Sequence, residues 1–483
     1  MNSLLNTDGY KVDHRRQYPD GTTLVYSNWT PRKSRIEGVN DVVFFGLQYF
    51  IKRYLIEDFR TNFFARPKAE VVRSYARRID AYLGPNAVGT DHIAALHDLG
   101  YLPMVIKALP EGVSVPLRVP MCTMYNTKPE FFWLTNYFET LLSTTLWLPC
   151  NSATIAREYR KKLDRYAAAT SSAEGFVDWQ AHDFSMRGMG GAEAAMLSGA
   201  GHLLSFLGTD TIPAIEFLEH YYNANAEEET IGGTVAATEH SVMCMGTDMG
   251  EQDTFERLIT EIYPNGIVSV VSDTWDLWKV LTEYLPNLKD KVLARNGKLV
   301  VRPDSGDPAD ILCGDPAAPE GPAREGVIEL LWKTFGGTTN AKGYRELDGH
   351  IGAIYGDSIS LDRAEQICSR LQANGFASTN VVLGIGSYTY QYNTRDTFGF
   401  AMKATYGEVN GEGRAIFKDP ITDDGTKRSA KGLMKITKQN GTYTLLDQVS
   451  WKEEQEGELR EVFRDGKLLV DDRLATIRKR LTD

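Results

Sequence analysis

Residues 297–308 read GKLVVRPDSGDP. Leu299, Val300 and Val301 form an apolar run without polar alternation, and Arg302, Asp304, Ser305 and Gly306 follow at once. A strand covered on both faces has this look, because neither side meets water. Three more stretches repeat the plan: GIVSVVSDTWD at 266–276, HIGAIYGDSIS at 350–360 and NVVLGIGSYTYQ at 380–391. The third continues into LDRAEQICSRLQANGF, whose three-four apolar spacing predicts a helix stopped at Asn-Gly. Apolar strands that each end in a polar loop gather function at strand C-termini, as in barrels and open α/β sheets. The expected fold is therefore α/β and barrel-like.

Working outward, 483 residues exceed one ordinary domain. We expect an α+β part over 1–150, the barrel-like domain over 151–399, and a C-terminal part, 400–483, returning to the first. VVFFGLQYFIKRYLIEDF (42–59) reads as a buried helix, and GVSVPLRVPMCTMYNT (112–127) as strand, turn and strand. EFFWLTNYFETLLSTTLWL (130–148) reads as an apolar helix ending at Pro149, with a second, amphipathic helix over 152–170. CGDPAAPEGPAREG (313–326) reads as a surface insertion, and QNGTY near the end as a hairpin turn.

The net charge of −11 argues against nucleic-acid binding, which needs a basic face. No run of about 18 apolar residues is present, so no membrane span is expected. The first residues turn polar without a signal-peptide core, which points to the cytoplasm. Five widely spaced cysteines with no C-x-x-C pair argue against disulfides and structural zinc, and read as buried free thiols.

Several loops carry chemistry, each with a competing structural reading. In RPDSGDP, Arg302 suits a phosphate, Asp304 ribose hydroxyls or a metal, and Gly306 close approach of a ligand; an Arg–Asp pair tying the loop together competes. GIGSYT presents backbone N–H groups as a phosphate nest, and Arg395 follows, yet the third glycine of a dinucleotide fingerprint is missing. ATEHS (237–241) holds His240, which alone reads as structural. FLGTD (206–210) holds Asp210, which alone reads as a helix cap. HDFSMRG (182–188) offers Phe184 as a platform for a flat ring and Arg187 as an anion grip ahead of a small-residue helix, against simple core packing of Phe184.

Together these motifs resemble the nicotinamide phosphoribosyltransferases of the type II phosphoribosyltransferase group. The resemblance rests on TDGYK, FFGLQY, PEFFWLTNYFET, HDFSMRG, LGTD, EHS, SVVSDTWD, RPDSGDP, YGDS, GIGSYTYQ…TRD and FKDP…KRSAKG, in family order over nearly the whole chain. It implies an irregular α/β barrel with an α+β companion domain built from both chain ends. It implies joining of nicotinamide to phosphoribosyl pyrophosphate, with Mg²⁺, giving the mononucleotide and pyrophosphate in NAD salvage. By that resemblance Phe184 stacks on one face of the pyridine ring, Tyr10 of the partner subunit covers the other, and Asp210 takes the carboxamide, with Ser269 and Asp273 nearby. Arg187, Arg302 and His240 hold diphosphate. Asp304, Gly356 and Asp357 take the ribose side, and Gly386, Ser387, Arg395, Lys403 and, from the partner, Arg32 take the phosphate. His240, Asp304 and Arg302 are the expected catalytic set. The resemblance further implies a homodimer with shared sites, and ATP as an activating co-substrate that phosphorylates the histidine matching His240. No Mg²⁺ ligands can be named from it.

The chain departs from vertebrate members at several points. Ser387 and Tyr388 replace glycines, Gly352 replaces an arginine so that a basic contact is expected to be lost, and Ala401 replaces a hydroxyl; the 313–326 insertion and a shorter 33–41 loop also differ. Two other functions compete. One is a nicotinate phosphoribosyltransferase, disfavoured because Asp210 would repel a substrate carboxylate. The other is a non-catalytic nicotinamide or nucleotide sensor, disfavoured by the retained Arg187, His240, Arg302 and Asp304. A barrel aldolase is weaker, since none of the four strands ends in a lysine.

Overall fold

The computed structural model describes residues 2–417 and 430–482, and it divides into two compact units. One comprises residues 155–216 and 225–392; the other comprises 1–154, 217–224 and 393–483. The stretch 418–429 of the FKDP…KRSAKG motif lies outside the described residues.

The 155–392 unit is built on seven parallel strands: β1 (Ala181–Asp183), β2 (Gly208–Thr209), β3 (Ala236–Ala237), β4 (Asn265–Val271), β5 (Asn296–Arg302), β6 (Ile351–Tyr355) and β7 (Val381–Ile385). Their order across the sheet is β2-β1-β7-β6-β5-β4-β3. Gly233, just ahead of β3, donates its N–H to Leu207 O (2.8 Å) and accepts from Thr209 N (2.9 Å), so the two sheet edges meet at that segment and the sheet curls. Leu299, Val301, Val268 and Val270 are buried within it, as fully covered parallel strands require. The four apolar runs are β4 to β7, as expected. The other three strands span two or three residues each, too short to show a periodicity.

The second unit carries an antiparallel seven-stranded sheet in the order 412–415, 401–409, 22–30, 122–126, 104–108, 460–464, 467–468. Strand 22–30 pairs with 401–409 on one side and 122–126 on the other, so both chain ends build this α+β unit. Trp29, Phe44, Phe50, Phe59 and Phe63 are fully enclosed in its core. Strands 433–439 and 442–449 form the expected hairpin, turning at Asn440 and Gly441 (φ 49° and 82°).

Three sequence expectations need correction. The helix expected over 42–59 begins only at Leu47: Asp41–Val43 pair as a strand with Ser114–Pro116, and Gly46 sits at φ 107°. The two helices expected around Pro149 are one, Glu139–Thr170. An interior proline costs roughly 3 kcal/mol. Burial of Leu141, Leu142 and Leu146 offsets that cost, and Gly46 clears the space, since a Cβ there would lie 2.8 Å from Pro149 Cγ. Four cysteines are buried free thiols, but Cys244 is exposed. No helix among the described residues is long and apolar enough to cross a membrane.

Candidate active site

All seven strands of the curled sheet deliver polar residues at their C-terminal ends: Asp183 (β1), Asp210 (β2), His240 (β3), Asp273 (β4), Arg302 and Asp304 (β5), Gly356 and Asp357 (β6), Gly386 and Ser387 (β7). In-register parallel pairing explains the convergence, because neighbouring strands then end side by side: Arg302 opposite Val271, Tyr355 opposite Leu383, Ile385 opposite Asp183.

Around HDFSMRG the short strand β1 fixes its neighbours. Asp183 is fully buried and accepts from Ser185 N (2.9 Å) and Thr211 Oγ1 (2.8 Å), stapling its own loop to the loop after β2. Phe184 N donates to Ile385 O (2.9 Å). The Phe184 ring lies 4.4 Å from the His182 ring, tilted by 34°, and the Arg302 guanidinium stands 4.7 Å from its centroid. An aromatic platform and a cation are therefore already in contact. Asp210 does not cap the following helix. His182 Nε2 lies 2.9 Å from Asp210 Oδ1 instead. Burial pushes the Asp210 carboxyl upward, but hydrogen bonds from His182 and Thr234 and the charge of Arg302 outweigh it and hold the group below its ordinary value. Arg187 is exposed on the 3₁₀ turn Met186–Gly188, with no ion-pair partner among the described residues.

The second half of this site joins β4, β5 and β6. Asp273 Oδ2 accepts from Asp304 N (2.8 Å) and Ser305 Oγ (2.6 Å), while Asp273 Oδ1 lies 3.5 Å from Nε2 of the half-exposed His240. Burial, reinforced by Asp273 and Asp357, raises the Asp304 carboxyl above its ordinary value against Arg302 and His240. Four buried polar atoms here have no hydrogen-bond partner: Ser269 Oγ, Asp273 Oδ1, Arg302 Nε and Asp304 Oδ1. Buried polar atoms are normally satisfied, so this cluster makes the strand ends a candidate place for a polar ligand. Glycines allow the crowding: a Cβ on Gly356 would fall 2.6 Å from Asp304 Oδ1, and one on Gly386 2.1 Å from Asp357 Oδ1. Ser387 packs directly on Gly188, where a Cβ would meet its Oγ at 2.0 Å.

The sequence reading missed some contributors. Lys298, near the start of β5 and four residues before Arg302, lies against Gly352 on the neighbouring strand, and burial lowers its pKa. Ser358 sits at φ 56°, held by Arg363 Nη1 donating to its carbonyl (2.7 Å) and hydroxyl (3.0 Å). Such strain beside Asp357 is typical of functional loops. The run of polar residues after each strand was the available signal; none of these contacts was readable from it.

Twelve of the sixteen candidates lie in this unit, and Tyr10, Arg32, Arg395 and Lys403 lie in the other. There Tyr10 (62% exposed) and Arg395 line one cavity of about 240 Å³ with Asp8, Glu139, Thr140 and Trp147. Arg32 Nε donates to Gly399 O (2.8 Å), and Lys403 is exposed on strand 401–409, opposite Asn28.

Comparison with known proteins identifies the family and the fold. The nicotinate phosphoribosyltransferase (NAPRTase) family matches residues 179–467, and the nicotinamide phosphoribosyltransferase N-terminal domain matches residues 2–105. A nicotinamide phosphoribosyltransferase of Acinetobacter baylyi is 54% identical, with 100% of this chain and 97% of that protein covered. One from Mycoplasma pneumoniae is 37% identical over 89% of this chain and 95% of its own length. Among solved structures, a nicotinate-nucleotide pyrophosphorylase from Pyrococcus furiosus aligns with TM-score 0.60 at 14% identity, covering 100% of this chain and 95% of that one. Human nicotinic acid phosphoribosyltransferase aligns with TM-score 0.54 at 15% identity, covering 99% and 93%. These two structural likenesses concern the fold. With a curled parallel sheet, polar residues at all seven strand ends and matches over both units, the chain belongs to the nicotinate phosphoribosyltransferase family of pentosyltransferases, on the branch that carries the nicotinamide phosphoribosyltransferase N-terminal domain.

Proposed function

We propose that the chain joins nicotinamide to phosphoribosyl pyrophosphate, giving nicotinamide mononucleotide and pyrophosphate. The pyridine nitrogen is itself the nucleophile. Its lone pair forms the bond to C1′ as the C1′–O bond breaks, and the electron pair leaves with pyrophosphate, so no general base is needed. The protein's task is to orient the ring and to neutralise the leaving group. Phe184 supplies the ring platform, Arg302 and Arg187 the diphosphate grip with His240 beside them, and Asp304 and Asp357 the ribose contacts. The contact between Arg302 and Phe184 supports this division, because ring and leaving group must meet at C1′.

The observation that carries an amide rather than an acid as substrate is Asp210, half-exposed and held ionised, which accepts from a carboxamide and repels a carboxylate. The partner subunit is proposed to complete the site in a homodimer. Tyr10 and Arg32 are the residues the partner would lend, and Tyr10 is 62% exposed, as a side chain offered to another subunit's site must be. No three His, Cys, Asp or Glu among the described residues converge as a metal cage. The carboxylate oxygens of Asp273 and Asp304 that accept no hydrogen bond do suit Mg²⁺ held jointly with substrate oxygens. Bound there, the ion would neutralise charge on the diphosphate. ATP as activating co-substrate would act at His240, whose imidazole is accessible. The highly charged sugar substrate suits a cytoplasmic enzyme.

Purified protein with Mg²⁺, phosphoribosyl pyrophosphate and either base tests this. Nicotinamide should give the mononucleotide and pyrophosphate with kcat/KM at least about tenfold above nicotinate. Equal values would refute the amide assignment. Ligand binding without pyrophosphate release, with or without ATP, would leave a sensor.

A further inference from the structure

The reaction above assigns nothing to His182, yet this nearly buried side chain touches two groups of the base pocket. Its imidazole is 9% exposed and lies behind the 41% exposed Asp210. The atom facing Nε2 is a carboxylate oxygen, so Nε2 carries the proton and donates. Room for the ring exists because residue 208 is glycine: a Cβ there would lie 2.8 Å from His182 Nδ1. Other charged groups nearby are otherwise engaged. Asp183 is taken by Ser185 and Thr211, His202 faces Gly208 O at 3.0 Å and Tyr390, and Arg302 lies over Phe184. Thr234 Oγ1 is 3.4 Å from the same Nε2. The ring also packs against Phe184, so a single side chain touches both the platform and the acceptor.

We propose that His182 is the specificity-determining positioning residue of the base pocket: its Nε2–H holds Asp210 as an oriented, acceptor-only carboxylate, so that a carboxamide is taken and a carboxylate refused. This rests on the proposed reaction. Without the donor, a half-buried Asp210 can rotate and can hold a proton, and a protonated carboxyl can donate to nicotinate as readily as an ionised one accepts from nicotinamide. Discrimination, rather than turnover alone, is then what His182 maintains.

The test compares three variants of the full-length protein with both bases. Gln places an amide nitrogen near the Nε2 position, Asn places it near Nδ1, and Leu carries no donor. His182→Gln should keep the native ratio of nicotinamide to nicotinate kcat/KM within about threefold, while His182→Asn and His182→Leu should lower it by at least about tenfold, as expected for loss of one charge-assisted hydrogen bond. Thermal melts establish that each variant is folded, and the Gln–Asn pair keeps the test decisive if Leu is not. Asn retaining the native ratio, or Gln losing it as fully as Asn, overturns the proposal. A native enzyme that turns over neither base overturns the reaction instead, so the two failures are distinct.

Discussion

Gly356→Ala adds one methyl group to the crowded side of the site. Gly356 follows β6, and its N–H donates to Pro303 O (3.0 Å), so the backbone is anchored. The new Cβ would stand 2.6 Å from Asp304 Oδ1 and 2.8 Å from Arg302 Nε. Favourable van der Waals separations begin near 3.5 Å, so one or both side chains must retreat by roughly 0.7–0.9 Å. Such a shift moves two groups of the site. Arg302 lies over Phe184, and Asp304 is tied through its N–H to Asp273. Overpacking of this kind costs about 1–3 kcal/mol in stability. Misplacing catalytic groups by about 1 Å costs on the order of a hundredfold in rate. Steady-state assays should therefore show kcat/KM for phosphoribosyl pyrophosphate down by about two orders of magnitude, with a melting temperature lowered by only a few degrees, roughly 2–6 °C. Gly349→Ala is the control, because a Cβ there meets nothing within 4 Å. If Gly356→Ala keeps kcat/KM within about threefold of native, the close packing of Asp304 and Arg302 is not what organises this site.

Asp210→Asn should erode the preference for nicotinamide: at about 4 Å and an effective dielectric near 20 two carboxylates repel by about 4 kcal/mol, which exposure of Asp210 reduces to roughly 1–2 kcal/mol, or about five- to thirtyfold in the kcat/KM ratio; an unchanged ratio would count against it. Phe184→Ala should raise KM for nicotinamide, whereas Arg187→Ala should mainly lower kcat, and the two constants measured together separate platform from anion grip. Glu111 provides a pH prediction away from the site. It is fully enclosed, accepts from Gly46 N (2.8 Å), Gln48 N (2.5 Å) and Tyr222 OH (3.0 Å), and burial lifts its pKa from 4.5 to about 7. The folded chain then binds the proton more tightly than the unfolded one, so Glu111 favours folding at low pH and loses that contribution as pH rises from about 4.5 to about 7, by up to about 3 kcal/mol. Urea midpoints across pH 5–7 should fall more steeply for the native chain than for Glu111→Gln, and parallel slopes would refute this.

The barrel was legible because four strands were long and apolar enough to stand out, while β1, β2 and β3 were not, since two or three residues carry no period. Phe184, Asp210 and His240 could be chosen only by likeness to a family. Taken singly, each had an ordinary structural reading, and for Asp210 the capping reading proved wrong. The helix through Pro149 was missed for a related reason: proline signals an end, and the packing that overrides it comes from distant residues such as Gly46.

The sequence by itself determined local chemistry: apolar strands, polar loops after them, glycines at their ends, and the order of motifs that marks the family. The tertiary structure decided which of those residues meet. His182 reaches Asp210 across 28 residues, Gly356 clears space for Asp304, and Gly386 for Asp357. These are contacts between neighbouring parallel strands, whose order and register depend on burial shared by the whole sheet, and no local run of residues encodes that.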